Sequence, residues 1–122
     1  MKSLVRHYDA GREYYFREGC HSNELSNSPG DEAVSIARAR VEPGSTTRWH
    51  RLSGIVERYV VLEGRGRVEL GDLPAEPVGP GDVVLIPPGT PQRITSEGSQ
   101  ELVFLAICSP RFVPEAYEDL EP

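Results

Sequence analysis

Apolar and polar residues alternate along most of this chain in short runs, and each run ends near a glycine or a proline. Residues 33–41 read Ala-Val-Ser-Ile-Ala-Arg-Ala-Arg-Val, residues 56–62 alternate in a similar way, and residues 66–70 resume the pattern after a turn at 63–65. An alternation with a period of two directs one face of a strand to the interior and the other to solvent. The pattern therefore predicts successive antiparallel strands joined by short turns.

A second group of short runs follows at 76–78, 82–86, 92–95 and 102–108. The chain's eleven prolines and twelve glycines divide it into segments that are too short for long helices. Roughly eight to ten strands at this spacing indicate an all-β fold, either a sandwich or a small barrel. A chain of 122 residues buries one core, so we expect a single domain.

The two ends of the chain are more polar than its middle. We expect an edge strand at residues 13–16 and a loop at residues 26–31. In the tail we expect a short turn of helix, packed through the rings of Phe112 and Tyr117, after which the chain frays. We expect the first thirty residues to serve packing rather than catalysis. The single domain then consists of three parts. Residues 1–32 form N-terminal edge strands and a loop, residues 33–109 form the core, and residues 110–122 form a tail.

The charge of the chain argues against several classes of partner. Thirteen basic residues against nineteen acidic ones give a net charge of −6, which opposes binding to nucleic acid and to anionic membrane surfaces. The N-terminal residues lack the apolar segment of a signal peptide, and no stretch approaches the roughly 18 continuous apolar residues of a membrane span. We therefore expect a soluble cytoplasmic protein in which Cys20 and Cys108 remain free thiols.

Two spaced patterns occur in the middle of the chain. The first, G-x5-H-x-L-x4-E-x6-G, consists of Gly44, His50, Leu52, Glu57 and Gly64. The second, G-x5-P-x-G-x2-Q-x3-S, consists of Gly81, Pro87, Gly89, Gln92 and Ser96. Glycine allows the positive φ that many turns need, and proline makes a rigid corner. Together the patterns resemble those of the cupins, a family of small β-barrels in which the positions of Leu52 and Gln92 are histidines.

The resemblance spans residues 40–109 and implies both a fold and a site. The implied fold is an antiparallel double-stranded β-helix, the jelly-roll barrel of the cupins, with at most a short terminal helix. Cupins bind a divalent cation inside the barrel, and the matching positions here make His50, Glu57 and Gln92 the metal ligands, a mixed set suited to Mn, Fe, Ni or Zn. Leu52 cannot ligate and would form an apolar wall of the cavity. The family also implies a homodimer that pairs through outer sheet faces.

Arg48 and Tyr59 are the residues that we expect to act on a substrate. By the alternation of a strand, Arg48 shares a face with His50, and Tyr59 shares a face with Glu57. A divalent ion beside one carboxylate leaves net positive charge, to which Arg48 would add, so a small anionic ligand fits best. An enzyme with this site would be metal-dependent, of the oxygenase, isomerase or lyase type.

Each assignment has a structural alternative. His50 could be hydrogen-bonded to Glu57 or Gln92 instead of binding a metal, and Glu57 could pair with Arg48. His21 could supply the missing imidazole, although its strand face is not fixed by the sequence. The alternative function is a non-catalytic barrel that binds a small acid or sugar, with the former metal position filled by hydrogen-bonded side chains.

Overall fold

The structure, a computed structural model, describes residues 1–122 and is built almost entirely of strands. Apart from two 3-10 turns, at Ala10–Arg12 and Pro114–Ala116, it contains no helix. The strands are β1 Tyr14–Phe16, β2 Cys20–Ser26, β3 Ser35–Val41, β4 His50–Leu52, β5 Val56–Glu63, β6 Arg65–Leu70, β7 Glu76–Val78, β8 Val83–Ile86, β9 Gln92–Glu97, β10 Leu102–Ser109 and β11 Tyr117–Asp119. The predicted all-β class is therefore confirmed.

The strands form two antiparallel sheets that enclose one core. The six-stranded sheet has the order β1-β2-β3-β10-β5-β8, and the five-stranded sheet has the order β11-β4-β9-β6-β7. β10 lies between β3 and β5 and pairs with both of them along most of its length. This order, in which neighbours in the sheet are distant in the chain, belongs to a jelly roll rather than to a simple meander.

Strand alternation directs the functional side chains inward. On β5, the buried residues Glu57, Tyr59 and Val61 alternate with less buried ones, because successive side chains of a strand point to opposite faces. The main core cluster joins Phe104 of the six-stranded sheet to Ile94 of the five-stranded sheet. The face of β5 that carries Glu57 and Tyr59 therefore points into the barrel, as the alternation predicts.

The C-terminal tail does not fray after a turn of helix. A 3-10 turn at Pro114–Ala116 leads into β11, which pairs antiparallel with β4 and sets Tyr117 opposite Leu52. Tyr117 is buried and packs with Leu52 and Cys108 in a second apolar cluster. A strand of three residues is too short to show alternation in the sequence, so this edge strand escaped prediction.

The outer face of the six-stranded sheet carries exposed apolar side chains. Val83 and Leu85 of β8 are 57% and 65% exposed, and Leu62 of β5 is 43% exposed. Isolated exposed apolar residues are common on monomers, and the homodimer implied by the sequence stays a prediction. No helix in the structure has the length and apolarity needed to cross a membrane.

Candidate functional site

Four of the predicted site residues meet inside the barrel. His50 of β4 lies opposite Gln92 of β9 in the five-stranded sheet, while Glu57 and Tyr59 approach from β5 of the other sheet. All four are buried, with exposures between 0% for His50 and 8% for Glu57. The Tyr59 hydroxyl donates a hydrogen bond to Gln92 Oε1 over 2.5 Å. This bond joins the two sheets at the centre of the candidate site.

Glu18, in the turn between β1 and β2, also reaches this cluster. Its Oε1 lies 3.1 Å from His50 Nε2, and its side chain is only 15% exposed. The thiol of Cys20 donates to Glu18 Oε2 over 3.5 Å. The N-terminal region therefore does more than pack against the barrel, because it contributes a carboxyl group to the site. The sequence analysis did not predict this contribution. No spacing relates residue 18 to residue 50, because their contact arises only when the β1–β2 hairpin packs beside β4.

The imidazole of His50 is fixed through one nitrogen and unpartnered at the other. Nδ1 lies 2.5 Å from the carbonyl oxygen of Arg48, and because a carbonyl can only accept, Nδ1 carries the hydrogen. The ring of Tyr117 stacks on the imidazole, with centroids 5.2 Å apart and planes 23° from parallel. Nε2 has no hydrogen-bond partner, since the nearby Glu18 oxygen is poorly aligned. An unpaired buried nitrogen costs stability and is available to a ligand.

Glu57 is a buried carboxyl group that holds a proton at neutral pH. Burial raises its pKa to about 8, and the negative charge of Glu18 adds to this effect. Contacts from Gln92 and from the Cys108 thiol, 3.8 Å from Oε2, lower the pKa only in part. Glu57 Oε1 has no hydrogen-bond partner. The site therefore contains a second unpaired buried atom, on a group poised to exchange a proton near neutrality.

Arg48 lies at the surface and does not reach the predicted position beside the cavity. Its Nε is 2.7 Å from a carboxylate oxygen of Asp119, and its side chain is 37% exposed. The hydrogen bond to Asp119 raises the pKa of the guanidinium. β4 begins only at His50, so strand alternation does not extend back to residue 48. The alternative pair between Glu57 and Arg48 is therefore not formed.

Two further residues considered in the sequence analysis also lie away from the cluster. His21 is next to the buried Cys20 on β2 and therefore points to the other face, where its Nε2 lies 3.1 Å from Glu42. It does not supply the missing imidazole. Leu52 is buried, but it packs beneath Tyr117 and is not among the residues that line the cavity described next.

A small cavity lies beside Glu57 on the inner face of the six-stranded sheet. About 50 Å³ is available to the centres of water-sized molecules, which is room for a few waters at about 10–15 Å³ each. Short side chains such as Ala37, Ala39 and Ala106 leave this space over the inner face of the paired strands β3 and β10. Glu18 and Glu57 both line it, so the carboxyl groups of the site can contact a small ligand.

The donor set provides a direct test of the metal that the family implies. His50 Nε2 and Glu57 Oε1 are unpartnered, as ligand atoms would be. However, Gln92 Oε1 already accepts the Tyr59 hydroxyl, and Leu52 offers no donor. No three His, Cys, Asp or Glu side chains lie close enough to hold a metal ion. Two unpartnered donors, one of them on a protonated carboxyl group, and an amide oxygen already engaged by Tyr59 do not fit a preformed metal centre of three or four protein ligands.

The hydrogen bond between Tyr59 and Gln92 predicts a stability difference between two tyrosines. Tyr59→Phe should lower the free energy of unfolding by about 1–3 kcal/mol, because it leaves the buried Gln92 Oε1 without a donor. Tyr117→Phe is the matched control, since the buried Tyr117 hydroxyl has no hydrogen-bond partner and its removal should be neutral or slightly stabilising. Urea denaturation of both variants measures the difference, and equal losses would contradict the assigned bond.

Comparison with known proteins identifies relatives of this barrel in sequence. Residues 37–108 match the family model for the Cupin domain. The uncharacterized protein MJ1618 of Methanocaldococcus jannaschii is 36% identical over 123 residues, which cover 99% of this chain and 95% of that protein. Both matches extend over the two spaced patterns and over the strands that carry His50, Glu57 and Gln92.

Solved structures share the architecture at low sequence identity. A conserved protein of Klebsiella pneumoniae with a double-stranded β-helix domain is 14% identical, has a TM-score of 0.71, and aligns over 97% of this chain and 91% of its own. Pac13 of Streptomyces, a nucleoside dehydratase, is 18% identical, has a TM-score of 0.78, and aligns over 97% of this chain and 92% of its own. At these identities the likeness concerns the fold alone, and it identifies the two-sheet barrel as a double-stranded β-helix.

Proposed function

Because this chain belongs to the cupin family, we propose that it is a small-molecule-binding barrel in which hydrogen-bonded side chains occupy the position of the metal. The observation that carries this proposal is the hydrogen bond from the Tyr59 hydroxyl to Gln92 Oε1. That bond occupies one of the two lone pairs of the only oxygen that Gln92 could offer to an ion. Beside it, Glu57 carries a proton where a metal ligand would carry a negative charge.

Glu57 is the group that gives this site its chemistry. A neutral carboxyl group facing a cavity can donate a hydrogen bond to a ligand, and with a pKa near neutrality it can also transfer a proton. His50 Nε2 and Glu18 Oε1 lie 3.1 Å apart in the same cluster. Binding is the proposed activity, and proton transfer of the isomerase or lyase type is the reaction that these residues support.

The second candidate function is the metal-dependent enzyme. It is supported by the two buried atoms without partners, His50 Nε2 and Glu57 Oε1, which both belong to the predicted ligand set. Mn, Fe, Ni or Zn held there with Gln92 would supply Lewis-acid chemistry to a small anionic substrate. In this candidate, Gln92 Oε1 would ligate the ion through the lone pair that the Tyr59 hydroxyl leaves free.

Metal analysis distinguishes the two candidates. Protein purified without an affinity tag would be incubated with Mn, Fe(II), Ni or Zn, passed through a desalting column and measured by mass spectrometry. We expect far less than one ion per chain in every case, because the barrel presents only two unpartnered donors and no group of three His, Cys, Asp or Glu side chains. One ion per chain that is lost in both Glu57→Ala and Gln92→Ala, and retained in the exposed control Glu76→Ala, would establish the metal-dependent candidate instead.

A further inference from the structure

We propose that the cavity beside Glu57 binds a small organic cation, with an amine or ammonium group directed at its carboxyl groups. This inference rests on the proposed function, in which no metal ion balances those groups. It replaces the anionic ligand of the sequence analysis, which depended on a metal ion and on Arg48 for its positive charges. The ligand class follows from the charge of the lining, from its aromatic walls and from one unpartnered buried oxygen.

The lining of the cavity is acidic and has no basic member. Three carboxyl groups line it, those of Glu18, Glu24 and Glu57, whereas no lysine, arginine or histidine does. Burial raises the pKa of the Tyr14 hydroxyl, and the negative charges of Glu24 and Glu18 add to this effect. An anion placed here would lose its hydration without finding a counter-charge, which is costly.

The remaining large side chains of the cavity are aromatic. Tyr14 and Phe16 meet at an interplanar angle of 86°, with centroids 6.3 Å apart, and Phe16 meets Phe112 at the same angle. All three rings line the cavity. Because the ring planes in each pair are nearly perpendicular, the cavity wall contains both ring faces and ring edges. Aromatic faces attract ammonium groups, and the attraction is stronger in sites shielded from water. The combination of carboxyl groups and ring faces favours an organic cation over a neutral molecule of equal size.

The unpartnered oxygen of Glu57 gives the cation a specific contact. Glu57 is only 8% exposed, it lines the cavity, and its Oε1 accepts no hydrogen bond from the protein. An N–H group of an amine would supply the donor that this oxygen lacks, because a carboxyl oxygen can accept a hydrogen bond. The available 50 Å³ accommodates a head group of a few heavy atoms, so the rest of a longer ligand would extend outward past Tyr14.

The test compares small probes of different charge in NMR titrations of isotope-labelled protein. Methylammonium and trimethylammonium are the cations, acetate is the anion and tert-butanol is the neutral probe. We expect saturable shifts of cavity residues with a cation and none with acetate. Glu24→Gln should weaken cation binding by about tenfold, because it removes one charge from the wall without disturbing the buried cluster, and the exposed control Glu76→Gln should leave binding unchanged.

The possible results separate this inference from the proposed function. Acetate or tert-butanol binding as tightly as the cations would overturn the inference, as would unchanged affinity in Glu24→Gln, and the metal-free barrel would remain a small-molecule site. One metal ion per chain in the preceding experiment would overturn the proposed function itself, whichever probe binds. Cation binding that Glu24→Gln weakens and Glu76→Gln does not would establish the ligand class.

Discussion

Raising the pH from 5 to 9 should lower the free energy of unfolding of this protein by up to about 4 kcal/mol through Glu57 alone. The pKa of Glu57 is about 8 in the folded state, against an ordinary value of 4.5. A group whose folded pKa is raised stabilises the fold at a pH below its unfolded pKa, and this stabilisation is lost as the pH rises through the folded pKa. Of the difference between 4.5 and about 8, about three pH units lie within this range, because the unfolded carboxyl group is already mostly ionised at pH 5; at about 1.4 kcal/mol per unit they give the stated upper limit.

Glu57→Gln should remove most of this pH dependence, because glutamine keeps the shape of the neutral carboxyl group and cannot ionise. Urea denaturation from pH 5 to pH 9, in the presence of a chelator, would measure both proteins. The difference between the two curves isolates Glu57, since other titrating groups contribute equally to both. Glu76→Gln, at an exposed position, should retain the parental slope. Parallel curves for the parent and Glu57→Gln would mean that Glu57 is already ionised in the fold at pH 5.

Gly64→Ala should cost more than about 3 kcal/mol of stability, from two effects that act together. Gly64 joins β5 to β6 with φ of 78°, a conformation that alanine adopts only with strain. A Cβ at this position would also lie 2.2 Å from the carbonyl oxygen of Glu101, a backbone atom that cannot move aside without shifting β10. The turn therefore excludes every side chain.

Gly44→Ala is the matched control for this prediction. Gly44 has a similar φ of 80°, but no atom lies within 4 Å of the position that its Cβ would take. Its substitution should cost only the backbone strain, about 1–2 kcal/mol. Thermal and urea denaturation of the two variants would give the difference. Equal losses would show that the strand end at Glu101 moves freely to admit a side chain.

Much of the fold and the centre of the site follow from local sequence signals. Alternation with a period of two is a property of each strand by itself, so the sequence correctly predicts that Glu57 and Tyr59 share an inward face. That His50 and Gln92 lie together is what the resemblance to the cupins implies, and the structure sets them opposite each other on β4 and β9. Alternation needs no knowledge of the rest of the chain, and for that reason the strand faces can be predicted from local sequence alone.

The features that escaped prediction depend on contacts between distant segments. Glu18 meets His50 because a hairpin packs beside β4, and no local pattern encodes that approach. Arg48 fails as a site residue because β4 begins two residues later than alternation assumes and because Asp119 of the tail draws the guanidinium outward. In both cases a long-range partner decided where the side chain lies.

The central position of β10 in the six-stranded sheet has a consequence for the rate of folding. β3 and β5 precede β10 in the chain, yet each forms its ladder with β10 rather than with the other. During synthesis β3 and β5 therefore emerge with unpaired edges, and the sheet can close only after residues 102–109 have been made. Pairings of such long sequence separation make folding slow and expose aggregation-prone strand edges in the interval. Nascent chains of this protein should accordingly depend on chaperones more than helical chains of equal length.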